Sequence, residues 1–178
     1  MKSINLTNKN STIKPPPKIR EKIINLPNDI SNNIIQNINN HHYQLNLINK
    51  LYLEQPFPEN KFLINELKSK ISSYKQQDIK KTIHEKDNII SIDDVIEKLV
   101  SSKLKCYYCN KKIFIFFDKV RDSDQWTLDR LNNLDEHTSQ NTIIACLKCN
   151  IERRRKNSEK FKFTKQLQTN NIKIVKTP

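Results

Sequence analysis

Glycine is absent: none of the 178 residues is Gly. That excludes several functions. A P-loop, a dinucleotide-binding fingerprint and a nucleophile elbow all need glycine, where backbone must approach phosphate or take positive φ. Left-handed positions must then fall to other residues, usually Asn or Asp. Asn132–Asn133 and Asn170–Asn171 are the expected places. Part of the bias is coding composition, since Asn, Ile and Lys dominate the chain. Apolar residues are scarce too. Only 35% of the chain is hydrophobic, which predicts a small core, and small cores commonly need a staple such as a metal. No apolar run reaches membrane-spanning length and no signal peptide is evident. The expectation is a soluble intracellular protein of cytoplasm or nucleus, with no membrane partner.

Acidic charge is the other shortage. The formal net charge is +13 and the pI is about 9.6. Such an excess suits a polyanion, through phosphate neutralisation and counterion release, or it is a solvated lysine-rich surface. Its placement is uneven. From Cys146 to the C-terminus ten basic residues face two acids, a net +8.

What is present divides the chain in three. Residues 1–17 are polar, end in three prolines and read as a disordered tail. Residues 18–88 read as a helical region. Ile30, Ile34, Ile38, Leu45, Ile48 and Leu51 form one apolar stripe at helical spacing, followed past Pro56 and Pro58 by Leu63, Leu67, Ile71, Tyr74, Ile79 and Ile83. The two stripes predict a helical hairpin, a scaffold or homodimer surface without chemistry. A third helix follows Ser91, with Asp94 completing a capping box. From residue 89 onward the period changes. "KKIFIFFDK", "DQWTLDR" and "NTIIA" read as strands, and "CLKCNIERRRKN" as a turn entering a basic helix.

Cys106, Cys109, Cys146 and Cys149 make two C-x2-C pairs. Two such knuckles complete a tetrahedral zinc site with no open position, so the zinc would be structural. The competing reading, a redox pair, needs one pair and a βαβ context. In a reducing compartment disulfides are disfavoured.

The segment "QWTLDRLNNLDEHTSQNTIIACLKCN", with the arginines after it, resembles the HNH endonuclease superfamily. The likeness is to its recombination endonuclease VII-like branch and to nucleases encoded by large DNA viruses and phages. It spans roughly 91 to 168 and is tightest from Trp126 to Arg155. The resemblance implies an α+β chain, a helical N-terminal region followed by a zinc-stapled ββα-metal (His-Me finger) domain over 89–178. It implies a nuclease acting on DNA, branched or linear. Asp129 and Asn150 would hold a catalytic Mg2+ or Mn2+, and Asn141 would brace the loop between the strands. Most of the family has a histidine directly after the aspartate. Here Arg130 stands there; it cannot accept a proton usefully but can clamp phosphate. His137 is then either the general base or an exposed loop histidine. Arg153, Arg154, Arg155 and Lys156 are the expected nucleic-acid contacts, although successive helical positions cannot all face one groove. Two other readings stand beside the nuclease: a zinc module that binds nucleic acid without cutting it, and a structural adaptor.

Overall fold

The computed structural model describes residues 20–21, 28–83 and 88–169. The expected tail and Asn170–Asn171 lie outside the described residues. Helices α1 (Asn28–Gln36), α2 (His41–Tyr52), α3 (Asn60–Lys80) and α4 (Ile92–Ser101) precede strands β1 (Trp126–Arg130) and β2 (Thr142–Cys146); α5 (Leu147–Arg153) and α6 (Ser158–Thr169) follow. The class is α+β, with a two-stranded antiparallel sheet that pairs Trp126 with Cys146 and Arg130 with Thr142.

The first apolar stripe is two helices, not one. Asparagines at 37, 39 and 40 interrupt it, and Asn40 caps α2 by accepting from the Tyr43 N–H at 3.1 Å. Asparagine competes with the helix for its own backbone and favours caps. The capping box at α4 is present in full, Ser91 Oγ accepting from Asp94 N and Asp94 reaching back. The expected strand at "KKIFIFFDK" does not form. Its main chain makes only isolated bridges, at Lys112 and Phe114, and a buried side chain bonds the next residues: Gln44 Oε1 accepts from Ile115 N (2.7 Å) and Phe116 N (3.0 Å), while Gln44 Nε2 donates to Phe116 O. Alternation alone cannot reveal that a glutamine from α2 will replace a neighbouring strand.

One apolar cluster runs from Ile34 on α1 to Phe161 on α6, through Leu63 and Leu67 of α3, Leu99 of α4 and Trp126 of β1. The stripes of α2 and α3 are therefore largely covered within the chain, Ile79 being the exposed exception, and a dimer through these helices would need mainly their other faces. Helix α3 also closes the outer edge of β1, which a two-stranded sheet would leave open. Lys70, Tyr74 and Asp78 recur every fourth residue on one face of α3. Lys70 Nζ donates to Trp126 O, and Tyr74 Oη accepts from Leu128 N at 3.0 Å. Burial pushes the Tyr74 hydroxyl up to about 12, so it stays a neutral partner.

The lack of glycine shows at the helix ends. Helices α2, α3 and α4 each close in a Schellman pattern. After α2, Gln55 N bonds Lys50 O and Glu54 N bonds Leu51 O; after α3, Ile83 N bonds Asp78 O and Thr82 N bonds Ile79 O; after α4, Leu104 N bonds Leu99 O and Lys103 N bonds Val100 O. The left-handed residue is Glu54 (φ 54°), Thr82 (φ 54°) and Lys103 (φ 51°). Glycine is the usual occupant, because a Cβ is strained there. Asn132 and Asn133 are not left-handed; Asn110 is, at φ 60°. Glu54→Gly and Thr82→Gly should each raise stability by about 1 kcal/mol, more at the β-branched threonine. The same change at Lys50, inside α2, should cost about 1 kcal/mol. Denaturant midpoints check both signs.

Candidate functional site

The four cysteines come together. Cys106 and Cys109 lie in the turn after α4, Cys146 ends β2 and Cys149 lies in the first turn of α5. All are buried, and their sulfurs lie within 4.8 Å of one another. Cys109 Sγ and Cys146 Sγ are 3.9 Å apart, far beyond a disulfide bond. A zinc tetrahedron with Zn–S of about 2.3 Å has edges of about 3.8 Å, so the spacing fits a bound ion. Local backbone prepares the cluster. Asn110 N donates to Cys106 O and Cys106 N to Lys111 O, both at 2.9 Å, folding the first knuckle. Left-handed Asn110 makes that turn possible without glycine. Cys149 N donates to Cys146 Sγ at 3.3 Å in the second. Hydrogen bonds from the other thiols drive Cys109 well below the ordinary thiol range, and its bonds to those same sulfurs drive Cys149 up. Four such sulfurs ionise together only around a cation. The cluster can hold a metal such as zinc.

Beyond the sulfurs the polar residues form two groups. In a strand, successive side chains leave on opposite faces. Thr127 and Asp129 share one face of β1, and α5 covers it. Asn150 Nδ2 donates to Thr127 Oγ1 (3.1 Å) and Leu128 O (3.3 Å). A carbonyl can only accept, so this bond orients the amide and leaves Oδ1 turned away from the strand. Asp129 is buried and strongly engaged. Its Oδ2 accepts from Tyr108 Oη and Arg153 Nε, each at 2.6 Å, and its Oδ1 from Arg153 Nη2 at 2.8 Å. Burial, then the carboxylate beside it, pushes the Tyr108 hydroxyl far up. Burial opposes charge on Arg153, but the contacts with Asp129 outweigh it and hold the guanidinium above its ordinary value. A carboxylate has about four acceptor sites; three are filled, and one remains on Asp129 Oδ1.

The second group gathers around Asp78, which is fully buried. His137 donates its main-chain N–H to Asp78 Oδ2 at 2.8 Å, and its Nδ1 lies 2.8 Å from both carboxylate oxygens. The ring also packs on Tyr74, centroids 4.7 Å apart. Arg130 Nη1 meets Asp78 Oδ1 at 3.3 Å and Asp135 O at 3.0 Å. Burial lowers the pKa of His137 despite the pull of Asp78, so the ring is neutral near neutral pH. Asn141 braces the loop: its Oδ1 accepts from Asn132 N, and its Nδ2 donates to Asn132 O and Glu136 O.

Protein-family models, curated proteins and solved structures contain no match to this chain. The chemistry of its own residues carries the functional reading. No helix among the described residues is long and apolar enough to cross a membrane.

Two expectations change in the structure, and one of two open readings is closed. Arg153 is not a surface contact, because it is buried on Asp129. Arg130 turns inward to Asp78, away from any phosphate it was expected to clamp. His137 is not an exposed loop residue; it is 4% exposed. Helix α5 ends at Arg153, and left-handed Arg154 stops it, so Arg154, Arg155 and Lys156 leave the helix and stay exposed. Sequence reasoning missed Asp78 and Tyr108. An acid four residues after Tyr74 on the apolar face of α3 was the available signal for Asp78. Nothing marked Tyr108 beyond its place inside a knuckle.

Cys146→Ser should lower the melting temperature of the whole C-terminal half and release zinc, because metal-binding free energy is folding free energy here. Zinc stoichiometry and a thermal melt check this, and an unchanged melt with full zinc would contradict it. Arg153→Met should cost about 3–5 kcal/mol, since it strands a buried carboxylate, and denaturant unfolding measures the loss.

Proposed function

We propose that the chain is a metal-dependent DNA endonuclease that hydrolyses phosphodiester bonds at an HNH-type site built on a four-cysteine zinc frame. One observation carries the reading. Asn150 directly follows the zinc-knuckle Cys149, and its bonds to Thr127 and Leu128 O set it over the strand face that bears Asp129. An amide oxygen and one carboxylate acceptor site suit a hard cation, since Mg2+ takes one or two protein carboxylates and keeps the rest of its shell for water and phosphate. The bound Mg2+ or Mn2+ would stabilise charge on the phosphorane-like transition state and on the leaving 3′ oxygen. Arg154, Arg155 and Lys156, exposed just beyond α5, meet the phosphates on either side. Tyr108 and Arg153 hold the Asp129 carboxylate in one orientation.

The pairing of Arg153 with both oxygens of Asp129 favours a second reading, a zinc module that binds nucleic acid without cutting it. A guanidinium at that distance opposes a cation on the same carboxylate.

Supercoiled plasmid separates the two. Wild-type protein should nick it in Mg2+ or Mn2+ and stop in EDTA. Asp129→Asn should abolish nicking while keeping zinc content; asparagine is preferred to alanine because it leaves Arg153 a partner. Retained binding with no nicking in either metal selects the second reading. Loss of all binding at low salt rules out both.

A further inference from the structure

We infer that Asp78, on α3, is the positioning residue for His137: it holds the imidazole with its proton on Nδ1 and presents Nε2 as the proton acceptor. This rests on the nuclease reading for the reaction the acceptor serves.

Three observations carry it. First, Asp78 grips His137 twice, at the main-chain N–H and at Nδ1, each at 2.8 Å. A carboxylate without a proton can only accept, so Nδ1 must donate and Nε2 carries the lone pair. Second, the ring is otherwise immobilised. Tyr74 packs on one face, and the His137 carbonyl accepts from Ile90 N at 2.7 Å. Among the described residues nothing bonds Nε2, and no buried side-chain nitrogen is left without a partner. Third, Arg130 and His137 share Asp78 Oδ1, at 3.3 and 2.8 Å. Arg130 stands directly after Asp129. The imidazole of His137 is one carboxylate away from that guanidinium.

The charged groups around the ring are Asp78 and Lys81 from α3 and its end, and Arg130 from β1. The two cations oppose a charged imidazole, and Asp78 favours it. In the step itself, Nε2 takes a proton from water as the water oxygen bonds to phosphorus and the bond to the 3′ oxygen breaks. The leaving oxygen takes its proton from solvent. Asp78 stabilises the imidazolium without receiving the proton, the division of labour of an acid–histidine pair in acyl transfer. Asp78 belongs to the helical region, outside the stretch of the resemblance, so a fragment beginning at residue 89 lacks it.

The test uses the full chain with 15N-labelled histidine, the His137 signals assigned by His137→Gln. Long-range 1H–15N correlation near neutral pH should show Nδ1 protonated and Nε2 bare. Asp78→Asn offers one acceptor oxygen where Arg130, Nδ1–H and the His137 N–H compete. The proton should move to Nε2, and the nicking rate should fall about 100-fold with zinc content unchanged. A nicking wild type with the proton on Nε2 overturns the positioning role and leaves the nuclease reading standing. So does Asp78→Asn that nicks at the wild-type rate. A wild type with the expected tautomer and no nicking in any metal overturns the nuclease reading and, with it, the catalytic use of the pair. If Asp78→Asn does not fold, the wild-type spectrum and nicking assay still decide.

Discussion

Cys146 is the last residue of β2, the N-cap of α5 and one of the four clustered sulfurs. The rest of the site depends on that coincidence. A strand that ends where a helix begins has no freedom of its own to set the angle between them. The sulfur cluster supplies it by tying both to the knuckle after α4. With α5 so aimed, residues one turn apart on it, Asn150 and Arg153, reach Leu128 O and Arg130 O along the same strand. An error in that angle would move both side chains off the strand.

The same strand is held from its other side by α3. Lys70, Tyr74 and Asp78 give a main-chain acceptor, a main-chain donor and an arginine their partners. Each is polar, and each is spaced as an apolar residue of a helical stripe would be. The cost of burying them is offset because the strand edge carries unpaired groups of its own, which would otherwise be desolvated without a bond. Two polar surfaces thus cover each other, and a two-stranded hairpin becomes stable without further strands.

Two buried carboxylates, Asp129 and Asp78, each hold an arginine. Such pairs add little net stability against an apolar equivalent, because desolvation consumes most of the attraction, but they are costly to break. Their value lies in geometry. Asp129 is held by Arg153, and Asp78 anchors the next residue of the strand, Arg130. The two arginines serve different ends: Arg153 orients a carboxylate, and Arg130 shares one with a histidine. Arg154, Arg155 and Lys156, just after α5, stay exposed.

Legibility in the sequence followed the range of the forces involved. The zinc spacing, the α4 capping box, both strands of the hairpin and the helical character of 60–80 are local patterns, and the chain carries them in a few adjacent residues. The strand expected at 111–119 failed because its partner is a glutamine some seventy positions earlier. The single helix expected from Ile30 to Leu51 broke because asparagine caps as readily as it continues. The roles of Arg153 and Arg130 were misplaced for the same reason as Asp78 was overlooked: a charged residue reads as solvated until something buries its partner beside it. By itself the sequence determined the four cysteines that can hold a metal, the basic surplus and the two strands of the hairpin, since these rest on composition and short spacing. Only the tertiary structure decided which charges face water and which face each other, because that depends on α3 and α5 closing on one strand from positions far apart in the chain.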